Sequence, residues 1–323
     1  MKRIGNLYNQ ICDKNNIELA IKNSQKGKKK NKQVIYFNKN YDKNLKILIG
    51  LLKKEKYVIS EYKTKYIKDN NKIRELKILP YFPDRIIQHC ILQIISSVLL
   101  KVFPTNTYSA IKHRGLHKCL KDIRKIIKNY DYCLKLDIKK YYENIDNDIL
   151  KSFILKKFKD KQLLDLLFQI IDKTKGCVIG SYLSQWFGNF YLSYFIHYLN
   201  DRKNIKVFVY MDDIVILGND KQLLYALKLE IIDYLKINLK LNLSNYQVFP
   251  ITNGIDFLGY KIFKTHILIR KRIKLNFIKM IKTNYNEKSI SSYNSWFFHA
   301  NCVNLLNKYI KNEKRNLEKS KKL

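Results

Sequence analysis

The 323 residues carry 63 Lys plus Arg against 27 Asp plus Glu, a formal charge of +36. With 46% hydrophobic and 13% aromatic content, the chain can bury a core, which excludes a disordered basic tail and allows two or three subdomains. A folded body this basic points to a polyanionic partner, while part of the lysine excess also fits the drift of an AT-rich coding sequence. In chain order, residues 1–40 predict a helix and then a loop. In that stretch Lys26-Gly27-Lys28-Lys29-Lys30-Asn31-Lys32 forms a basic connector, either solvated or in contact with phosphate. Leu45, Leu48, Ile49 and Leu52 recur at helical spacing. Tyr57 to Leu79 alternates and is rich in aromatic and β-branched residues, which predicts strands turning at Asn70-Asn71. Pro80 and Pro83 break the chain, and Asp84 is placed to N-cap a helix running to about Val102.

Residues 116–129 read as helix. Asp131 to Asp137 reads as a strand with Tyr132, Leu134 and Leu136 on one face, ending at an acid. Asp146 opens a helix, and a second covers about 160–173. From Leu183, the residues Trp186, Phe187, Phe190, Tyr191, Tyr194, Phe195 and Tyr198 keep helical spacing. Lys206 to Gly218 reads as strand, tight turn, strand, with Asp212 and Asp213 at the turn. A helix over about 220–237 follows, then short strands near Val248 and Phe257, then a basic helical remainder over 270–323. The mixture of helices with antiparallel hairpins is α+β.

Cys12, Cys90, Cys119, Cys133, Cys177 and Cys302 contain no C-x-x-C pair, so neither a zinc ribbon nor a redox motif is readable, and free thiols in a reducing compartment are expected. The N-terminus lacks the apolar stretch of a signal peptide. Gly176 to Asn200 carries no Asp, Glu, Lys or Arg, but Ser181, Ser184, Gln185, Asn189 and Ser193 make it too polar for a lipid-facing span. A buried helix is expected instead, and no membrane partner.

The sharpest local feature is Tyr210-Met211-Asp212-Asp213, two adjacent carboxylates between apolar flanks. Like charges this close repel unless a cation lies between them. Turns favour Asp, so this feature alone also fits a solvated turn. Asp137 at the end of another apolar strand changes the balance. Three carboxylates from a strand end and a hairpin could converge on two Mg²⁺ ions, hard cations that take oxygen ligands. Two metals about 4 Å apart activate an attacking hydroxyl and steady a leaving group.

With these residues placed, the sequence resembles a reverse transcriptase of the prokaryotic retroelement branch. Leu134 to Tyr142 (LKLDIKKYY) resembles palm motif A, and Gly180 to Gln185 running on to Asn189 resembles motif B. Tyr210 to Asp213 resembles motif C, and Gly254 to Tyr260 (GIDFLGY) the primer grip. Upstream, Lys72-Ile73-Arg74 and Asp84 to His89 resemble the fingers blocks. Thr107 to Ala110 with Gly115 to Lys118 resembles the segment before motif A. The ordered set covers about residues 5–310.

The resemblance implies a right-hand polymerase fold: fingers and N-terminal region over 1–129, palm with an antiparallel sheet over 130–261, helical thumb and basic tail over 262–323. It implies RNA-directed DNA synthesis with two Mg²⁺ ions, or Mn²⁺, held by Asp137, Asp212, Asp213 and the carbonyl of Ile138. Asp213 has the less defined metal role of the three acids. Lys72 and Arg74 are expected to clamp the triphosphate, Tyr142 to exclude a 2′-hydroxyl, and Gln185 to contact the nascent pair. Phe257, Leu258 and Gly259 are expected to seat the primer. Trp296 and Phe297 are expected in the thumb core, and Lys311 to Lys321 in a basic tail. No lysine clearly stands after motif C as proton donor to pyrophosphate; Lys240 is nearest. The implied partners are template RNA with a cDNA primer and dNTPs; a structured noncoding RNA and a small basic accessory protein are further candidates. The implied setting is the cytoplasm, bacterial or phage-encoded. Neither a ribonuclease nor an endonuclease domain, nor a maturase extension, is expected in the remaining length. The Ile179-Gly180-x-x-x-Ser184-Gln185 form of motif B looks most like diversity-generating retroelement enzymes, which misincorporate opposite adenine. Phage-defence and retron- or intron-like enzymes are the alternatives, and a non-catalytic nucleic-acid-binding scaffold is the alternative from another class.

Overall fold

The computed structural model describes residues 2–69, 72–283 and 287–309. The N-terminal region holds four helices, α1 (Tyr8–Ile11), α2 (Lys14–Ser24), α3 (Lys32–Lys39) and α4 (Tyr41–Lys53). The single helix and loop expected over residues 1–40 is therefore three helices. Two short polar caps account for the difference. Asp13 accepts from the amides of Asn15 and Asn16 to start α2, and Asn31 accepts from the amide of Gln33 to start α3. The basic connector bridges α2 and α3.

Strands β1 (Lys63–Asp69) and β2 (Lys72–Ile78) form an antiparallel pair; the expected turn at Asn70-Asn71 lies outside the described residues. The preceding Tyr57 to Tyr62 is not strand. Tyr57 is buried, and the amide of Ile59 donates to Gln169 Oε1 at 3.0 Å, so this stretch is held by side-chain partners rather than a ladder. Asp84 departs from its expected role. Helix α5 (Ile86–Leu100) has no side-chain cap. The Asp84 carboxylate is instead fully buried and accepts from Tyr57 Oη at 2.8 Å, Ser60 N at 3.0 Å and Ser60 Oγ at 2.7 Å. An acid buried this completely requires such donors.

After α6 (Leu116–Ile126) come β3 (Tyr132–Ile138), α7 (Asn147–Leu155), α8 (Lys161–Asp172) and α9 (Ser184–Asn200). Asp146 caps α7 and Asp160 caps α8. Next are β4 (Ile205–Tyr210), β5 (Asp213–Gly218), α10 (Lys221–Leu239) and β6 (Leu243–Pro250). The central sheet has the order β4-β5-β3-β6, all antiparallel. Its two faces differ. Leu134, Leu136 and Ile138 of β3 with Ile214 and Ile216 of β5 face a core built with α9 and α10. Cys133 and Val215 with Leu217 face a second core, shared with α6 and a small sheet.

That small sheet pairs β7 (Ile255–Phe257), β8 (Tyr260–Ile262) and β9 (Ile267–Ile269). It continues past residue 261, the expected palm–thumb boundary. Helices α11 (Lys271–Thr283) and α12 (Glu287–Phe297) follow, with Phe297 packed edge-on against Phe277 at 4.6 Å. The basic tail Lys311 to Lys321 lies outside the described residues. All six cysteines are buried and unpaired, and no described helix is long and apolar enough to cross a membrane.

Replacing Asp84 with Ala strands the Tyr57 hydroxyl and the Ser60 amide. A loss of about 3 kcal/mol in unfolding free energy is expected, read from urea denaturation. A loss below about 1 kcal/mol would show that these bonds do not hold the segment.

Candidate active site

Three residue types of β3 share the sheet face that opens to solvent at its far end. Side chains alternate along a strand, so Cys133, Lys135 and Asp137 point one way and Leu134, Leu136 and Ile138 the other. Pairing carries the first set across the sheet. Asp137 is opposite Asp213 on β5 and Asn245 on β6, and Lys135 is opposite Val215 and Gln247. The face thus passes from a buried apolar end to a polar groove of about 550 Å³, lined by Lys135, Asp137, Asp213, Asn245, Gln247 and Lys261 among others.

The β4–β5 turn is tight, with Met211 at φ 58°. The amide of Ile138 donates to the carbonyl of Asp212 at 3.4 Å, tying the turn to the end of β3. Burial raises the Asp213 carboxyl above the usual carboxylate range; Asp137 and Asp256 push the same way, while Lys135 and Arg270 oppose them. Arg270 is itself engaged, with Nε 2.6 Å from Asp256 Oδ1. The charge of Asp212 acts on the other side, on Tyr141 and Tyr142. Among the described residues, no three His, Cys, Asp or Glu side chains stand as a ready-made metal shell. The register brings two of the three expected acids together, Asp137 opposite Asp213, while Asp212 lies in the turn before β5 with its charge acting on Tyr141 and Tyr142. The donors are nevertheless all oxygens, the ligand type hard divalent cations take, and the turn keeps all three acids at one end of the sheet. On that chemistry the residues fit Mg²⁺.

Tyr142 lies just after β3, partly buried, and its carbonyl accepts from the amide of Cys177 at 2.8 Å. A methyl group at Gly188 of α9 would come 3.1 Å from Tyr142 Cε1 and 3.2 Å from Tyr141 Cε1. Glycine there lets both rings rest on the helix, and Tyr141 Oη donates to the Gly188 carbonyl at 2.6 Å. Burial, then the charge of Asp212, raises the Tyr142 phenol well above its ordinary value, so it stays protonated. Gln185, in the first turn of α9, is exposed.

Lys72 and Arg74 lie on β2, where their backbones pair with Asp69 and Ile67; their side chains lie outside the described residues. The hairpin touches motif B directly. The Lys77 amide donates to the Ile179 carbonyl at 3.0 Å, and Arg85 Nη1 donates to the Gly180 carbonyl at 3.2 Å. The Arg85 guanidinium also lies 4.7 Å over the Tyr182 ring, which stacks on His89 at 3.8 Å. Burial, with Arg85 and Lys28 nearby, lowers the His89 pKa to about 3.

In the expected primer grip, Phe257 is fully buried in the second core, so its ring supports the turn rather than meeting a ligand. Leu258 (φ 54°) and Gly259 (φ 83°) form the turn. The close approach at Gly259 comes from the chain itself: a methyl group there would lie 2.5 Å from Trp296 Cζ3. Trp296 packs on Tyr260 at 5.4 Å. Lys240 ends α10 in the left-handed conformation and donates to Asp146 Oδ2 at 2.7 Å, so it is joined to the cap of α7. Sequence reasoning missed Lys135, the Arg270–Asp256 pair and Ser244, whose hydroxyl donates to the Asp137 carboxylate. The alternation of β3 was the available signal for Lys135. The other contacts depend on pairings between distant segments.

An antiparallel sheet presenting acids at a hairpin, preceded by a β-hairpin and followed by a helical C-terminal region, defines a right-hand polymerase. Residues 63–262 match the family described as reverse transcriptase (RNA-dependent DNA polymerase), and the chain belongs to that family. The group II intron-encoded protein LtrA of Lactococcus lactis subsp. cremoris is 28% identical over 147 residues, covering 45% of this chain and 23% of that protein; the same values hold for LtrA of strain MG1363. The match thus spans under a quarter of those relatives. Among solved structures, apo telomerase from Candida tropicalis aligns with a TM-score of 0.50 at 12% identity, over 65% of this chain and 48% of that one. Telomerase from Candida albicans in complex with a TWJ fragment of telomeric RNA aligns at 0.51 and 11% identity, over 72% and 52%. These agree on the fold.

His89 generates a prediction with a defined sign. It stays neutral in the fold to about pH 3, whereas the unfolded chain protonates it below its ordinary value of 6.5. Its contribution is therefore fully present above pH 6.5 and is lost as pH falls toward 3. His89→Gln should show a shallower loss of stability than wild type between pH 6.5 and 4 in denaturant titrations. Parallel pH curves would remove His89 as the source.

Proposed function

We propose that this protein is an RNA-directed DNA polymerase, copying an RNA template into cDNA by nucleotidyl transfer. The observation that carries the reading is the register of the central sheet, which sets Asp137 against Asp213 beside Asp212, at the head of a polar groove, in a chain of this family. Asp137, Asp212, Asp213 and the Ile138 carbonyl are the groups that would hold two Mg²⁺ ions, or Mn²⁺. Such ions, when bound, favour ionisation of the primer hydroxyl and neutralise charge on the leaving pyrophosphate.

The remaining roles fall to the chain's own residues. Tyr142 lies under the sugar, where its ring leaves no room for a 2′-hydroxyl. Lys72 and Arg74 hold the triphosphate, and Gln185 meets the nascent pair. Leu258 and Gly259 seat the primer end on a turn that Phe257 anchors. Residues 1–129, 130–261 and 262–323 act as fingers, palm and thumb around a template RNA–cDNA duplex, with dNTPs as substrates. Lys135 and Lys261 supply salt-sensitive contact to its backbone.

Within the family we favour a diversity-generating retroelement role, on the form of motif B. Under that reading the enzyme works in a bacterial or phage-encoded cytoplasmic setting, with a structured noncoding RNA and a small basic accessory protein as partners. Sequencing cDNA made on an adenine-containing RNA should show substitutions concentrated opposite adenine. Faithful copying would move the assignment to a defence- or intron-like enzyme.

The central test is primer extension on an RNA template with purified protein. Wild type should extend with Mg²⁺ and dNTPs, and Asp212→Ala or Asp137→Ala should lose about a hundredfold or more in rate. Extension by Asp212→Ala at the wild-type rate overturns the site. Tyr142→Ala should raise ribonucleotide incorporation relative to deoxynucleotide by about tenfold or more; an unchanged ratio would remove the sugar gate.

A further inference from the structure

We propose that Ser244 is a positioning residue for Asp137, carried to that carboxylate by a bulge in β6. The inference rests on the polymerase reading of Asp137. Along the β3–β6 ladder, Asp137 pairs with Asn245 and Ile138 pairs with Leu243, with a register shift between them. Two neighbouring positions on β3 therefore face three on β6, and Ser244 is the extra residue. In an unbroken ladder Ser244 would oppose Ile138, whose side chain is buried in the helical core. A bulge re-aims the side chain it carries. Here it brings Ser244 Oγ to Asp137, within 3.1 Å of the carbonyl oxygen and in hydrogen-bond contact with Oδ2. The hydroxyl has one proton, and the charged carboxylate is the stronger acceptor.

The position needs such a donor. Asp137 opposes Asp213 on the same face, and like charges push their side chains apart. Asp213 has Lys135 and Arg270 acting on it. For Asp137, Ser244 is the side chain that donates to the carboxylate among the described residues. A hydroxyl fixes the rotamer and leaves the full negative charge in place. A lysine at the same point would neutralise it. The bond engages Oδ2, and Asp137 lines the groove. A partner of this kind holds a metal-binding carboxylate in one orientation without being a ligand itself.

The test compares the full-length chain as wild type, Ser244→Ala, Ser244→Thr and Asp137→Ala. The first readout is Mn²⁺ binding, from the electron paramagnetic resonance signal of the free ion. The second is primer extension at varied metal and primer–template concentrations. Ser244→Ala should weaken Mn²⁺ binding and lower kcat by about tenfold, with KM for primer–template within about twofold and an unchanged melting temperature. Ser244→Thr, which keeps the hydroxyl, should recover both.

Wild-type binding and kcat in Ser244→Ala overturn the inference, as does a Thr variant no better than Ala. A fall in melting temperature with loss of primer–template binding overturns it too, since Ser244 would then merely hold the strand. Asp137→Ala separates this inference from the reading beneath it. If that variant extends like wild type, the polymerase site itself is misassigned. If it is inactive while Ser244→Ala is normal, only the positioning role fails.

Discussion

Strand β3 is hydrogen-bonded along both edges, to β5 on one side and β6 on the other, and the acidic centre depends on that double pairing. A slip of one residue would rotate Asp137 into the helical core and Ile138 into the groove. Several fully buried side chains oppose such a slip. Leu134, Leu136 and Ile138 fill one face, and Cys133 is buried on the other. The apolar residues of β3 thus determine on which face of the sheet the charge of Asp137 emerges. The same logic extends to the turn after β4, which is bonded to the end of β3 through Ile138. Asp137 comes to lie beside an acidic pair some 75 residues further along the chain because hydrophobic burial leaves the backbone one register.

The basic character of the surface has a local counterpart in how the acids are used. Asp13, Asp146, Asp160 and Asp220 cap helices. Asp160 also accepts from the amides of Leu7 and Tyr8 at 2.8 and 2.9 Å, fastening the N-terminus to α8. Asp84 is buried. A cap can serve twice, since Asp146 both caps α7 and accepts from Lys240. The positive field follows from 63 basic side chains against 27 acids.

Much of this was readable from one sequence. The aromatic stripe from Trp186 to Tyr198 specified α9, and Asp146 announced its helix, because both signals are local. The ordered motifs located the acids without any knowledge of their pairing. What escaped notice depended on distant partners. Asp84 has the sequence context of an N-cap, yet donors at Tyr57 and Ser60 claim it. Phe257 reads as part of a primer seat with Leu258 and Gly259, and its burial in the second core depends on segments distant in sequence. Strands β8 and β9 are three residues each, too short for alternation to register. The Ser244 bulge is a mismatch between two strands, and no single stretch of sequence can display a mismatch.

The cysteines carry a last consequence. Cys12, Cys90 and Cys177 lie in the main core, Cys119 and Cys133 in the second, and Cys302 in the third, among the C-terminal helices. Every thiol is free and shielded, so an alkylating reagent can reach one only when its own cluster opens. The protein thus carries a built-in set of chemical clocks, one group per core. The order in which they react records which part of the hand loosens first.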